Sequence, residues 1–267
     1  MTKAIVLAAG QGSRLRPITN ETPKCLVPLC GHPLLTWQTA VLQRSGIHDI
    51  AVATGFCSDQ ISDLGYPCYY NPNFEKTNMV TSLFNAGEFF DDTEDLVVVY
   101  GDIVFQTENL QQLLSSESQV SLMIDTAWRN LWSARMNNPL DDAETLILDD
   151  EQNILEIGKK PSSYEEIQGQ YTGLIRIRRD VLGQVTDFYN NLDRDATYDG
   201  QSFDNMYMTS FLQRLINFGF EVKGSLVESG WLEVDSCADL EAYESMFKNN
   251  ALDEFWCEPP PVVRAII

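Results

Sequence analysis

A run of apolar, β-prone residues, Lys3–Ala9, stops abruptly at Gly10-Gln11-Gly12. That junction constrains the chain more than any other feature. A continuous apolar run of this length is a strand buried on both faces, and such strands belong to parallel sheets. The pattern repeats. Asp49–Thr54, Cys68–Tyr70, Leu96–Tyr100 and Val120–Ile124 read as further strands. Between them, Pro33–Ser45, Ser58–Leu64, Met79–Phe89 and Thr107–Leu114 show helical spacing. Strands alternating with helices at short spacing predict an α/β fold: a mostly parallel sheet with helices on both faces. Ligands in such sheets bind beyond the carboxyl ends of the strands.

The rhythm changes after Asp125. Thr145–Leu148, Ile154–Ile157, Tyr171–Ile177, Val222–Lys223 and Trp231–Val234 read as strands, and Val181–Asn191, Asn205–Phe218 and Ser236–Phe247 as helices. Ser236-x-x-Asp239 has capping-box spacing. We expect one domain over residues 1–248. Residues 1–125 form its first half, and residues 126–248 form a second half with a β elaboration. Residues 249–267, with three consecutive prolines, are expected to be an arm or a disordered end.

Acids outnumber bases 39 to 18, a net charge of −21. Such a chain lacks the basic footprint of a nucleic-acid binder. It can hold phosphates only by concentrating a few cations or recruiting metal. The cations beside the glycines, Arg14 and Lys24, therefore carry weight. The six cysteines form no C-x-x-C pair and there are only two histidines, so neither a zinc site nor a disulfide framework is expected. No stretch has membrane length or signal-peptide shape, and a cytoplasmic protein without a membrane partner is the expectation.

Glycines directly after a strand let the backbone approach an anion closely. The spacing fits neither a Walker loop nor the dinucleotide fingerprint, because Leu15 stands where the latter needs a third glycine. The full string runs Ala8-Ala9-Gly10-Gln11-Gly12-Ser13-Arg14-Leu15-Arg16-Pro17, then Pro23-Lys24 and Leu26. It resembles the signature of the nucleotidyltransferases that make NDP-sugars and CDP-alcohols. The resemblance implies a Rossmann-like mixed α/β sheet, with residues 1–125 as its nucleotide-binding half and residues 126–248 as an acceptor-binding half that has the substrate-side β elaboration and the second metal aspartate. It also implies a nucleotide site at Ala8, Ala9, Gly10, Gly12 and Ser13, with Arg14 and Lys24 on the phosphates as catalytic cations. Asp102, which follows the Val97–Gly101 strand end, and Asp235, which follows Trp231–Val234, resemble the family's metal-binding aspartates. Mg²⁺ takes one or two carboxylates and completes its shell with substrate phosphates and water.

Asn71-Pro72, Thr77–Leu83, Asp204–Met206 and Glu233–Ser236 resemble bacterial choline-phosphate cytidylyltransferases more than the sugar branch. Gly158-Lys159-Lys160-Pro161 has Lys159 where the sugar branch carries a glutamate. The resemblance implies CTP as donor, with Asn78 and Ser82 at the cytosine and Gly101 in the nucleotide site. The competing role for Asn78 and Ser82 is capping the following helix. Acceptor contacts are assigned to Trp132, Phe203, Asp204 and Trp231, since aromatic faces and carboxylates attract ammonium groups, and to Lys160, which keeps the phosphate-holding role of the sugar-branch lysine. The competing role for Trp132 and Phe203 is core packing. The Asn130–Thr145 segment, with Arg135 and Asp141-Asp142, departs from the choline pattern. It resembles relatives that activate other phosphorylated amines or phosphonates for surface polysaccharide or lipid decoration. Two rival readings are a sugar-1-phosphate nucleotidyltransferase and a non-catalytic nucleotide-binding module. The sequence leaves oligomeric state open, a homodimer included.

Overall fold

The computed structural model describes residues 1–91 and 93–261. In chain order its main elements begin with β1 (Thr2–Ala8), α1 (Leu34–Arg44), β2 (Ile50–Thr54), β3 (Cys68–Tyr70) and α2 (Met79–Asn85). Next come β4 (Asp95–Tyr100), β5 (Ile103–Phe105), α3 (Thr107–Leu114), β6 (Val120–Asp125) and α4 (Trp128–Arg135). The rest comprises β7 (Leu146–Leu148), β8 (Ile154–Ile157), β9 (Gln170–Ile177), α5 (Arg179–Asn190), α6 (Met208–Phe218), β10 (Val222–Val227), β11 (Trp231–Glu233) and α7 (Cys237–Lys248).

Seven strands form the central sheet in the order β10-β6-β9-β4-β1-β2-β3. All neighbours pair in parallel except β9, which runs antiparallel between β4 and β6. The sheet is therefore mixed and mostly parallel, as expected. Side-chain alternation along β1 divides the core. Ala4, Val6 and Ala8 pack with Leu34, Trp37 and Val41 of α1 and with Leu110 of α3. Ile5 and Leu7 pack on the other face with Val80 and Leu83 of α2, Val185 of α5 and Phe211 of α6. Both faces are thus covered, and β1 and β4 read as unbroken apolar runs for that reason.

Several elements differ from expectation. The Met79–Phe89 helix ends at Asn85, and Gly87–Phe89 makes a single 3₁₀ turn. The Asn205–Phe218 helix starts only at Met208, after a 3₁₀ turn over Phe203–Asn205. β10 runs to Val227 because it pairs with β6 along its whole length. Helix α4 and strand β5 were not expected. The capping box does form: the Ser236 hydroxyl accepts from Asp239 N, and the Asp239 carboxylate accepts from Ser236 N.

The arm from Asn249 is docked through Pro261. Trp256 is buried edge-on against Trp37, with ring centroids 4.9 Å apart. The buried Glu258 pairs with Arg44 at 2.7 Å and accepts from the Thr107 N–H at 2.9 Å, at the first turn of α3. The final VVRAII stretch, residues 262–267, lies outside the described residues. Among the described residues no helix is long and apolar enough to cross a membrane.

Candidate active site

β1 and β4 are parallel neighbours with Leu7 beside Tyr100, so their carboxyl ends open on the same edge. Gly101 makes that closeness possible. Its N–H donates to the Leu7 carbonyl at 3.0 Å, and a Cβ on Gly101 would lie 2.6 Å from that oxygen. A cavity opens there. Its walls include Ala8, Ala9 and Gly10 from the β1 end, Lys24, Asn78 and Ser82 from α2 and its cap, and Gly101 and Asp102 from the β4 end.

Gly12 has the left-handed conformation at φ 64°, and a Cβ there would sit 2.9 Å from Lys24 Cβ. The loop can therefore lie directly on the lysine stem. The Thr19 hydroxyl donates to the Gly12 carbonyl at 2.7 Å and fixes the loop. Leu15 is buried beneath it, while Ser13 and Arg14 stay exposed. Ser13 opens a 3₁₀ turn and does not line the cavity.

The charged groups converge from three segments. β11 pairs antiparallel with β5, and Val234 N donates to the Asp102 carbonyl at 2.9 Å. That pairing sets Asp235 beside Asp102. The Lys24 ammonium lies between them and donates to Asp102 at 2.7 Å and to Asp235 at 2.9 Å. Arg14 contacts the other Asp235 oxygen. Burial opposes the charge on Lys24, but Asp102, Asp235 and Glu233 outweigh it and raise the lysine pKa. The second Asp102 oxygen, Oδ1, is buried and has no hydrogen-bond partner. An orphaned carboxylate oxygen is costly unless something cationic or protic reaches it. The described residues contain no group of three or more histidine, cysteine or acidic side chains suited to a metal. Two carboxylates with a free oxygen fit a hard cation whose remaining ligands come from a bound triphosphate.

Asn78 and Ser82 line the cavity and also serve the backbone. Asn78 Oδ1 accepts from Met79 N at 2.8 Å, which is the helix cap. The buried Asn71 donates to Ser82 Oγ at 3.0 Å.

A second cavity of about 220 Å³ adjoins the first, and Met79 forms part of both walls. Trp132 and Trp231 line it. So do residues that the sequence reading missed: Tyr100, Asp142, Glu144, Gln170, Tyr171, Tyr207 and Glu233. No lysine or arginine is among its lining residues. Desolvation, then the Asp142 charge, pushes the Glu144 carboxyl up to about 7. Desolvation also pushes Glu233 up to about 7, opposed by Arg135 and aided by Asp102 and Asp235. The Trp231 indole donates to the buried Asp125 at 2.9 Å, whereas the buried Trp132 N–H has no partner.

Three expected acceptor residues are elsewhere. Phe203 is in the core, packed against Tyr189 and Tyr198, because its turn folds inward ahead of α6. Asp204 is exposed and lines neither cavity. Its backbone carbonyl instead accepts from Asn78 N at 2.9 Å and the Thr81 hydroxyl at 3.1 Å, steadying α2. Lys160 is exposed and donates to the carbonyls of Leu140 and Asp141, both at 2.6 Å. It ties down the loop that carries Asp142 and Glu144 rather than facing the cavity.

The profile of the MobA-like NTP transferase domain matches residues 4–140, just over half of the chain. The chain is 39% identical over 248 residues to the CTP:phosphoglutamine cytidylyltransferase of Campylobacter jejuni, covering 89% of this chain and 97% of that one. It is 40% identical over 90 residues to the choline-phosphate cytidylyltransferase of Streptococcus pneumoniae, covering 32% of this chain and 39% of that one. The solved inositol-1-phosphate CTP transferase of T. maritima superposes with a TM-score of 0.71 at 21% identity, covering 96% and 98% of the two chains. That last likeness speaks for the fold alone. The chain belongs to the MobA-like NTP transferase family.

Proposed function

From this nucleotidyltransferase membership, we propose that the protein is a Mg²⁺-dependent cytidylyltransferase. It moves CMP from CTP to a small phosphorylated amine or phosphonate and releases pyrophosphate. The observation that carries the reading is the pair of adjoining cavities. One is built on the glycine loop and Lys24. The other is lined by carboxylates and aromatic rings without a cation. The extended match to a relative named for CTP and phosphoglutamine supports CTP as donor and an amine-bearing acceptor.

The chemistry is an in-line displacement. A phosphate or phosphonate oxygen of the acceptor attacks the α-phosphorus of CTP. The new P–O bond forms as the bond to the β-phosphate bridging oxygen breaks, and pyrophosphate leaves with that electron pair. The attacking oxygen is already anionic near pH 7, so no side chain has to remove a proton. Ala8–Gly10 and Gly12 shape the phosphate loop, and Lys24 and Arg14 leave the carboxylates to neutralise the triphosphate. Asp102 and Asp235 would hold the metal, which supplies further charge neutralisation. Asn78 and Ser82 stand where a base would lie. Glu144, Glu233 and Asp142 attract the acceptor ammonium, with Trp132 and Trp231 as flanking faces. Residues 1–125 then supply the nucleotide half and residues 126–248 most of the acceptor half. We place the reaction in the cytoplasm, serving surface polysaccharide or lipid decoration.

The test is coupled pyrophosphate release with CTP, UTP, GTP or dTTP and Mg²⁺. The acceptor panel is phosphocholine, phosphoethanolamine, aminoethylphosphonate, phosphorylated glutamine and glucose-1-phosphate. Turnover confined to CTP and an ammonium-bearing acceptor is expected. Preference for glucose-1-phosphate would overturn the reading in favour of the sugar branch.

A further inference from the structure

We propose that Arg135 is a positioning residue that locks the acceptor cavity to the metal-side strand end. It holds Glu233 as the cavity's fixed carboxylate and, through Asp239, holds the backbone that carries Asp235. The inference rests on the reading above, in which the acceptor bears an ammonium group.

Arg135 stands in the last turn of α4, and its side chain is only 3% exposed. It does not line the acceptor cavity, so any effect on substrate passes through its neighbours. One guanidinium nitrogen donates to Glu233 Oε2 at 3.0 Å. Nε donates to Asp239 Oδ1 at 3.0 Å, and the remaining nitrogen reaches Asp239 Oδ2 at 3.4 Å. This fork fixes both carboxylates in a geometry that an ammonium cannot copy.

Each carboxylate leads to a different part of the site. Glu233 lines the cavity, and its second oxygen has no hydrogen-bond partner among the described residues. It is held at one oxygen and available at the other. Asp239 accepts from the backbone N–H of Asp235 at 3.2 Å and of Ser236 at 2.9 Å. The guanidinium carbon also lies 5.4 Å from the Trp132 ring, whose buried N–H is unpartnered in the cavity wall. A single buried cation therefore sets the direction of one of the cavity's three carboxylates, packs near one of its aromatic walls and braces the turn after β11.

The experiment compares Arg135→Gln, Arg135→Lys, Glu233→Gln and the Arg135→Gln/Glu233→Gln double variant. Steady-state kinetics use CTP with the ammonium-bearing acceptor that the wild type turns over. Arg135→Gln should raise the acceptor KM roughly 10-fold or more, about the loss of one charge-assisted hydrogen bond. The loosened Asp235 backbone should lower kcat as well, while the KM for CTP stays within about twofold because the glycine loop and Lys24 are untouched. Arg135→Lys should recover part of the acceptor KM. The double variant should bind acceptor no worse than Glu233→Gln alone, because the two act as one unit. A purely structural arginine would lower the melting temperature and kcat while leaving the acceptor KM alone, and that result overturns the proposal. Additive KM effects in the double variant also overturn it. If Arg135→Gln does not fold, the acceptor KM of Arg135→Lys decides in the same sense. If the wild type uses no ammonium-bearing acceptor, the functional reading fails and takes this inference with it. If the wild type does but the Arg135 variants keep its acceptor KM, only this inference fails.

Discussion

Replacing Lys24 with methionine should turn a self-neutralised charge cluster into a cation trap. Methionine keeps most of the aliphatic stem that packs under Gly12 but removes the ammonium between Asp102 and Asp235. The three side chains are 15%, 23% and 13% exposed, so the cluster is largely but not wholly desolvated. Removing one partner from a buried ion pair costs about 3–5 kcal/mol. Residual solvent, and Arg14 remaining on Asp235, put this case near the lower end, at about 3 kcal/mol. For a chain of this size that is a fall in melting temperature of about 6–12 °C. Because the folded lysine has a raised pKa, its stabilisation is fully present below the unfolded value of 10.5. It is lost only as pH rises through the still higher folded value. Titration of Lys24 itself therefore adds no slope to the gap between wild type and Lys24→Met below about pH 9, and any slope near pH 7 comes from Glu233, whose carboxyl the lysine holds down. The assay is scanning calorimetry without nucleotide, with and without Mn²⁺. At 100 times its Kd, Mn²⁺ would return about 2.7 kcal/mol, nearly the whole loss, to the variant. In the wild type the lysine already occupies the carboxylates, and Mn²⁺ alone should shift the transition little. Equal Mn²⁺ shifts in both proteins, or a variant that melts within about 2 °C of wild type, would refute the reasoning.

Three further outcomes are expected. Asp102→Asn and Asp235→Asn should each lower turnover with CTP by more than about 100-fold, beyond the loss typical of groups one step removed from a metal; wild-type-like rates in either would withdraw that aspartate from the site. The acceptor KM should fall as pH rises through about 7, where Glu144 ionises, and Glu144→Gln should flatten that profile apart from the contribution of Glu233; an unchanged profile would remove Glu144 from acceptor binding. Asp125 is fully buried and accepts from Ala127 N, Ser229 N and the Trp231 indole, so Asp125→Ala, measured by calorimetry, should cost at least about 3 kcal/mol by stranding three donors, and a shift of less than about 1 kcal/mol would show that water or relaxation satisfies them.

The first cavity was readable because its information is local. β1 and β4 are buried on both faces, so each appears as one apolar run ending where the ligand edge begins. Gly10, Gly12 and Lys24 are close in sequence and remain close in the fold. Asp102 follows its strand directly, and Asp235 needed only the expectation that a second strand would end nearby. What no local pattern revealed is the β5–β11 pairing that brings the two aspartates together, since β5 is three residues long and its partner begins more than a hundred residues later.

The second cavity was harder to read for the same physical reason in reverse. Its wall draws on Tyr100, Trp132, Asp142, Glu144, Tyr171, Tyr207, Trp231 and Glu233, which come from separate segments. They meet because β9 enters antiparallel between β4 and β6 and delivers Gln170 and Tyr171 to the ligand edge. Helix α4 gave weak signals: it has two turns, Ala127 at its cap, and a start anchored by the carboxylate of Asp125 from the preceding strand. Its Trp128, Leu131 and Trp132 do carry helical spacing, which is the one trace the sequence offered. Phe203 and Asp204 had the right residue types for an ammonium site, but side-chain type cannot tell which way a turn folds. Packing against Tyr189 and Tyr198 decided that for Phe203 and left Asp204 outside. Residue chemistry suggested carboxylates beside aromatics, and long-range strand order decides which carboxylates and rings line this cavity.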